Sequence, residues 1–267
     1  MNSQTFISKP SAADTWGAVC RPTALFVVAF ALNATPHEAV HAITGYLLGI
    51  DSTLFQLWVN PDSAEATSKQ LAIIAAAGPV FSLAVGMVCL ALYQRRFRRR
   101  PSGVMWLMMA LEGIYFFLGP MVGAALGGDF HIALTTLGTP KIVGYVVSAI
   151  GLVLLPSFMF FMGGELLRWA PSDFGRAKAV ACTTLGPWLI GPLLLLLVYW
   201  PLPGFLISST IGGNVFWVFA VMGAARGFSL RRSDEITPPS FTRADLTVSI
   251  VALAMVRLLV HGIHLHH

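Results

Sequence analysis

The sequence is poor in charged residues and in cysteine. Asp, Glu, Lys and Arg make up 11% of its 267 residues, whereas about 25% is usual in soluble globular proteins. The three cysteines, Cys20, Cys89 and Cys182, form neither a Cys-x-x-Cys pair nor a Cys/His cluster, so they imply no disulfide framework. Hydrophobic residues instead make up 56% of the chain. This balance excludes an ordinary soluble domain and predicts an integral, multi-pass membrane protein, which we expect in the plasma (inner) membrane.

The hydrophobic residues are gathered in long runs. A helix needs about 20 apolar residues to cross a bilayer core of about 30 Å, and it satisfies its own backbone hydrogen bonds in lipid. The sequence therefore predicts an all-α bundle of six or seven transmembrane helices. The runs lie at residues 23–50, 71–94, 103–126, 142–163, 178–200, 203–225 and 244–263. The count depends on residues 200–204, where two prolines favour a turn between two spans over a break within one.

Basic residues are concentrated between the runs. Five arginines lie between residues 95 and 100, directly after an apolar run. We interpret them as an anchor at the lipid headgroups and expect no nucleic-acid partner. With seven spans, the basic residues predict a cytoplasmic N-terminus and a histidine-rich tail on the outside. The tail histidines, His261, His264, His266 and His267, could bind metal, but we expect an unstructured end.

One segment between spans has strand character. Residues 52–59 mix alternation with aromatic and β-branched side chains, and Asn60-Pro61-Asp62 then turns the chain. The sequence therefore predicts a short strand or hairpin at the membrane surface, between the first two spans.

One motif in the first apolar run carries chemistry. The segment His37-Glu38-Ala39-Val40-His41 places two histidines on one face of a helix with a glutamate beside them. Two such imidazoles can bind one zinc ion, and the glutamate can act as general base on a water at the metal. The alternatives are a proton relay and a satisfied polar core. Metal ligation is favoured because ionisable groups inside a span cost ~2.5 to 3.5 kcal/mol on insertion scales and usually have a function.

A catalytic zinc usually has three protein ligands, so one more must come from elsewhere in the bundle. The segment 126–131, Leu-Gly-Gly-Asp-Phe-His, follows the third span, and its glycines would let the backbone approach the motif. Asp129 and His131 would point apart on a regular helix, so we expect only one of them to bind and favour Asp129. The alternative is an ordinary polar loop. Glu112 and Glu165 are weaker candidates, since Glu112 could simply face the bundle interior and Glu165 lies near a helix end.

These residues resemble the site-2 intramembrane metalloproteases over about residues 30–135. In that family an H-E-x-x-H motif in a transmembrane helix precedes small residues and a Leu-Leu-Gly-like ending, and here His41 is followed by Ala-Ile-Thr-Gly-Tyr-Leu-Leu-Gly. A surface strand or hairpin and a helix opening with Ala-Gly-Pro come next, which is similar to residues 55–60 and then Ala77-Gly78-Pro79 here. The family's third ligand is an aspartate two helices further on. Asp129 has the corresponding place, 88 residues after His41.

The resemblance is incomplete at two points. Ser82 stands where many members have Asn, and the segment from Gly119-Pro120 to Asp129 lacks the family's Asn-Pro and Asp-Gly pairs.

The resemblance implies a zinc site and a reaction. Its zinc ligands would be His37, His41 and Asp129, with Glu38 as the catalytic base, and it would hydrolyse peptide bonds of transmembrane protein substrates within or near the lipid bilayer. We accordingly expect a polar tail at 1–22 and a single transmembrane domain at 23–267. Within this domain the catalytic core would cover about 23–135 and additional helices 142–263.

A helical substrate must be unwound before its amide can be attacked. The predicted strand, with Phe55, Leu57 and Val59, could hold the extended segment by β-strand addition, or it could merely pack against the bundle. Two other functions would use the same cluster of polar residues: a metal-ion or proton transporter or channel, and an inactive protease-like protein that binds transmembrane partners. Glu38 argues against the inactive protein, because pure binding needs no general base. The sequence predicts no oligomeric state.

Overall fold

The computed structural model describes residues 12–62, 64, 66–171, 174–204, 207, 213–227 and 243–267. In these ranges the protein is a bundle of helices with one small three-stranded sheet, which confirms the predicted fold class. The long helices are α1 (Ala12–Leu47), α2 (Ser68–Leu92), α3 (Gly103–Gly123) and α5 (Lys141–Leu166). The shorter ones are α4 (Asp129–Thr136), α6 (Arg176–Val180), α7 (Gly186–Leu189), α8 (Gly191–Val198), α9 (Trp217–Gly227) and α10 (Arg243–Leu258). The strands are β1 (Ser52–Leu54), β2 (Val59–Pro61) and β3 (Ile263–Leu265).

Five helical segments within the described ranges are long and apolar enough to cross a membrane. They are Cys20–Leu47, Ser68–Phe97, Gly103–Gly123, Lys141–Trp169 and Arg176–Val198, and they coincide with the first five predicted spans. The predicted break after the fifth span is present, because α8 ends at Val198 and no helix covers residues 199–203. Beyond it, α9 and α10 are 11 and 16 residues long, and part of the sixth predicted span lies outside the described residues. The five segments support an integral membrane protein.

The first and last helices run parallel to each other. Helix α1 begins at Ala12 and so takes in the second half of the segment predicted as a polar tail. Near the start of each helix, buried Arg21 Nε lies 3.0 Å from Asp245 Oδ2, and Arg21 Nη2 donates to the Pro101 carbonyl. At their far ends the strands that follow them, β1 and β3, pair with each other. Parallel first and last helices are what an odd number of crossings produces, as in the predicted seven-span bundle.

Glycines bring neighbouring helices into direct backbone contact. At the crossing of α2 and α3, a Cβ on Gly86 would lie 2.7 Å from Ile114 N, and one on Gly113 would lie 2.7 Å from Gly86 Cα. At the crossing of α5 and α9, a Cβ on Gly163 or Gly223 would overlap a carbonyl oxygen of the opposite helix. Small residues at such crossings are typical of membrane helices, whose association depends on close van der Waals packing. The first crossing fixes α2 against the helix that leads to Asp129.

The small sheet joins the segment that follows α1 to the C-terminal end of the chain. Its order is β2-β1-β3 and both pairs are antiparallel, with Leu54 opposite Val59 in β2 and Ile263 in β3. Strands β1 and β2 form the predicted hairpin. The expectation of an unstructured C-terminal end is wrong, because β3 pairs with β1 along its length. Beyond β3, Asp51 accepts a hydrogen bond from the His267 backbone N–H at 2.9 Å.

Candidate metal centre

The two histidines of the motif lie on one face of α1 and inside the bundle. Their side chains are 4% and 7% exposed, and their ring centroids lie 4.8 Å apart. The Nε2 atoms of His37 and His41 are only 3.1 Å apart. Residues four apart on a helix are neighbours on its surface, so the spacing read in the sequence brings both nitrogens to one point.

Asp129 reaches the histidines from the first residue of α4. Gly128 precedes it with a φ of 92°, a left-handed conformation that glycine adopts without strain. This turn directs the carboxylate back towards α1, where Oδ2 lies 3.3 Å from His37 Nε2 and Oδ1 lies 3.8 Å from His41 Nε2. The ligand atoms of His37, His41 and Asp129 thus form a group that could hold a metal ion.

The separations within this group are close to those that one bound metal ion requires. Zinc bonds to imidazole nitrogen and carboxylate oxygen are about 2.0 to 2.2 Å long, which places neighbouring tetrahedral ligand atoms roughly 3.3 Å apart. Here the two Nε2 atoms are 3.1 Å apart and lie 3.3 and 3.8 Å from different oxygens of Asp129, and one ligand atom from each residue lies within 4.8 Å of the other two. Asp129 and Glu38 also bring two formal negative charges into the bundle, which a divalent cation would neutralise.

The outer nitrogens of both rings are held by α2, which runs antiparallel to α1. His41 Nδ1 lies 2.5 Å from the Ile74 carbonyl oxygen, and His37 Nδ1 lies 2.9 Å from Ser82 Oγ. A carbonyl can only accept a hydrogen bond, so His41 carries its proton on Nδ1 and keeps the lone pair of Nε2 for a metal. Metal-binding histidines commonly donate their other N–H in this way, which fixes the ring orientation.

Gly78 lies between these two contacts and leaves room for the rings. A Cβ at this position would overlap His41 Nε2 and lie 2.8 Å from His37 Nε2. The three positions Ile74, Gly78 and Ser82 are four residues apart and so share one face of α2. In the sequence Gly78 stands out as part of the Ala-Gly-Pro resemblance, and Ser82 as a departure from that resemblance. Their spacing is the signal that could have identified this supporting face.

Glu38 is placed to act at the metal group without belonging to it. Glu38 is half-buried as a residue, whereas His37 and His41 are buried. Its carboxylate interacts electrostatically with His37 and with Asp129. A carboxylate beside the ligands can exchange protons with a molecule bound at the metal group.

The other candidates for the third ligand lie elsewhere. His131 Nδ1 lies 3.2 Å from the Ala124 carbonyl oxygen, and His131 is not part of the group that could bind metal. Glu165 pairs with Arg98 at 2.9 Å and Arg168 at 3.1 Å, beside the arginine block. Glu112 is buried, as expected of a group facing the bundle interior, and its Oε1 has no hydrogen-bond partner among the described residues.

The predicted substrate-binding residues lie in and around the hairpin. Phe55 stacks on Trp58 with ring centroids 4.4 Å apart, and Leu57 packs against the main core. Val59 belongs to β2 and packs with Leu54 against Ala39 and Ala42. Because Ala39 lies between His37 and His41 in the chain, the sheet packs next to the candidate site.

No known family model, curated protein or solved structure matches this chain. The finding about the site is therefore a geometric one: two histidines and one aspartate converge inside a helical bundle and could hold a metal ion.

Proposed function

We propose that this protein is an intramembrane zinc metalloprotease that cleaves transmembrane protein substrates within or near the bilayer. The observation that carries the proposal is the convergence of His37, His41 and Asp129 beside Glu38. The motif lies on a helix long and apolar enough to cross a membrane. Ionisable groups in such a position are costly and usually functional.

Zinc is the metal proposed because of the donor set. Two histidines and one carboxylate are a common set for catalytic zinc, and they leave a fourth coordination position for water or substrate. What zinc supplies when bound in such a site is Lewis acidity and a lowered pKa of its water. The Ile74 carbonyl and the Ser82 hydroxyl orient the rings.

Glu38 would do the proton transfer. Its carboxylate takes one proton from the attacking water as the oxygen bonds to the scissile carbonyl carbon. The same proton then passes to the amide nitrogen as the C–N bond breaks, so that an acid and an amine are released. The position of Glu38 beside the ligands suits this role, because the group must reach both the water and the leaving nitrogen.

The experiment that tests the proposal compares wild type with Glu38→Gln, which keeps the side-chain size and removes the base. Zinc is measured by mass spectrometry of the purified protein, and cleavage is measured on single-span substrates in proteoliposomes. We expect one zinc per chain in both proteins and cleavage about 10²- to 10⁴-fold slower in the variant, the usual contribution of a general base. Absence of zinc from both, or equal cleavage by both, would refute the proposal.

The free edge of β2 is the proposed place for the unwound substrate. The Phe55 N–H donates to the Trp58 carbonyl, and the Asp62 N–H donates to the Asp51 carbonyl. Between these two bonds, hydrogen-bonded residue pairs alternate with pairs that are not hydrogen-bonded. By this alternation Asn60 faces β1, while the Val59 N–H points away from the sheet. An extended peptide could add at this edge.

Val59→Pro removes this outward N–H without breaking a hydrogen bond to β1, and it is expected to lower cleavage severalfold with zinc unchanged. Val59→Ala controls for the lost side chain. His264→Pro removes the outward N–H at the opposite edge, on β3, together with the ring contact to Thr53, and is expected to cleave like His264→Ala, which removes the ring alone. Zinc loss in Val59→Pro, or normal cleavage by it, would contradict substrate binding at β2.

A further inference from the structure

Tyr199 has a buried hydroxyl without the hydrogen bond that comparable tyrosines in this protein make. The Tyr93 hydroxyl donates to Glu165 Oε2 at 3.1 Å, and the Tyr115 hydroxyl donates to the Gly213 carbonyl. Tyr199 is fully buried, yet its hydroxyl forms no hydrogen bond of normal geometry with any residue that the structure describes. A buried hydroxyl left without a partner lowers stability, so a partner in the working protein is expected.

Thr35 shows the same anomaly on α1. Helical threonines commonly bond back to the carbonyl one turn earlier, and here Thr183 does so to Ala179 at 3.0 Å and Thr184 to Val180 at 2.8 Å. The Thr35 hydroxyl is buried and makes no such bond to the helix; among the described residues it approaches only the Tyr199 hydroxyl, without normal hydrogen-bond geometry. Its hydrogen-bonding capacity is therefore available to another group.

Both hydroxyls border Glu38. Thr35 precedes Glu38 by three residues and so lies on the same face of α1. Tyr199 follows the end of α8 and packs its ring edge-on against Phe30, with centroids 5.9 Å apart. The Tyr199 hydroxyl approaches that of Thr35 and interacts electrostatically with the Glu38 carboxylate. Two buried hydroxyls, close to each other and with no bond of normal geometry to another described group, thus lie beside the proposed base.

We propose that Tyr199 is a further catalytic residue, whose hydroxyl donates a hydrogen bond to the scissile carbonyl oxygen as that oxygen becomes negatively charged. This inference rests on the proposed function. Thr35 is a positioning residue that donates to the Tyr199 oxygen and so directs the phenol proton towards the substrate. Tyr199 transfers no proton: the water proton goes to Glu38 and from there to the leaving nitrogen. Because Tyr199 directly follows α8, its proposed role would make the helices beyond residue 135 part of the active site.

The test is Tyr199→Phe, which keeps the ring and removes the hydroxyl. In zinc-loaded protein we expect unchanged zinc content, an unchanged or higher melting temperature, and a similar KM. The kcat on a single-span substrate should fall about 10²- to 10³-fold, as when one oxyanion donor is removed. Affinity for a peptidyl phosphonamidate, which mimics the charged tetrahedral oxygen, should fall with it. Thr35→Val should show a smaller fall in kcat. The control is Tyr93→Phe, which removes a hydroxyl that bonds to Glu165, and it should keep the wild-type kcat.

The outcomes separate this inference from the proposed function. Wild-type kcat and phosphonamidate affinity in Tyr199→Phe would overturn the inference and leave the protease proposal intact. Loss of zinc in Tyr199→Phe would also overturn it, because the residue would then support the metal group. If wild type cleaves no faster than Glu38→Gln, the proposed function fails and the inference falls with it.

Discussion

Two clusters of histidines with an aspartate occur in the described part of the chain. They differ in burial and in whether their ligand atoms converge. In the bundle, His37, His41 and Asp129 are largely buried and their ligand atoms converge. At the sheet, His266 Nδ1 lies 3.1 Å from Asp51 Oδ2, but these side chains are 75% and 47% exposed. The rings of His264 and His266 stack with centroids 6.0 Å apart.

The difference lies in what the ring nitrogens are used for. In the bundle, helix α2 occupies the Nδ1 atoms and leaves the Nε2 atoms facing one point. At the sheet, His264 Nδ1 forms a hydrogen bond with Thr53 Oγ1 at 2.8 Å, and His266 Nδ1 forms one with Asp51 Oδ2. Both contacts hold β3 and the residues after it against the hairpin. The same residue types therefore serve a candidate metal site in one place and strand docking in the other. Burial and orientation by neighbouring groups decide between them.

The largest expected effect comes from removing one histidine of the buried cluster, compared with removing three of the exposed one. We expect His41→Ala to lose zinc, with a fall in affinity greater than the roughly 10- to 100-fold that follows loss of a supporting hydrogen bond. A variant with His264, His266 and His267 all replaced by alanine should keep one zinc per chain. Mass spectrometry of the purified proteins measures both. Zinc loss from the tail variant alone would reverse the assignment of the two clusters.

Adding one methyl group tests whether close packing by α2 orients the buried cluster. Gly78→Ala would place a Cβ against His41 Nε2 and His37 Nε2, so the rings must move and zinc affinity should fall at least tenfold, as when ligand orientation is lost. The matched control is Gly164→Ala, also in a helix, where a Cβ would meet nothing within 4 Å among the described atoms. The measurement is a zinc titration against a fluorescent chelator. Equal affinity in both variants would show that Gly78 does not shape the site.

The smallest expected effect is a pH dependence of β3 docking. The His267 backbone N–H, and after it the His266 side chain, hold the pKa of Asp51 below its ordinary value of 3.8. A carboxyl with a lowered pKa in the folded state contributes stability above its ordinary pKa, and this is lost as the pH falls through the lowered value. We therefore expect hydrogen exchange at residues 263–265, corrected for intrinsic rates, to lose protection below about pH 3.8. In Asp51→Asn this pH step should disappear, and in Asp62→Asn it should remain.

Much of the fold and part of the site could be predicted from local sequence. Hydrophobic runs of sufficient length predict helices wherever they occur, and five of them became candidate spans. The His37/His41 pair needs only helical periodicity to bring its nitrogens together. The hairpin was predicted from alternation and a turn signal. The C-terminal strand β3 was missed because its three residues become a strand only by pairing with β1, more than 200 residues away.

The sequence by itself determined the helical bundle, the membrane character and the two histidines on one helix face, because chain hydrophobicity and helical spacing are local properties. Only the tertiary structure decided that Asp129 rather than His131 meets those histidines and that Ile74, Gly78 and Ser82 support them. It also placed Tyr199 beside Glu38. These contacts depend on how separate helices cross, and crossing is set by packing between residues distant in the chain, such as Gly86 against Gly113. No local pattern encodes that geometry.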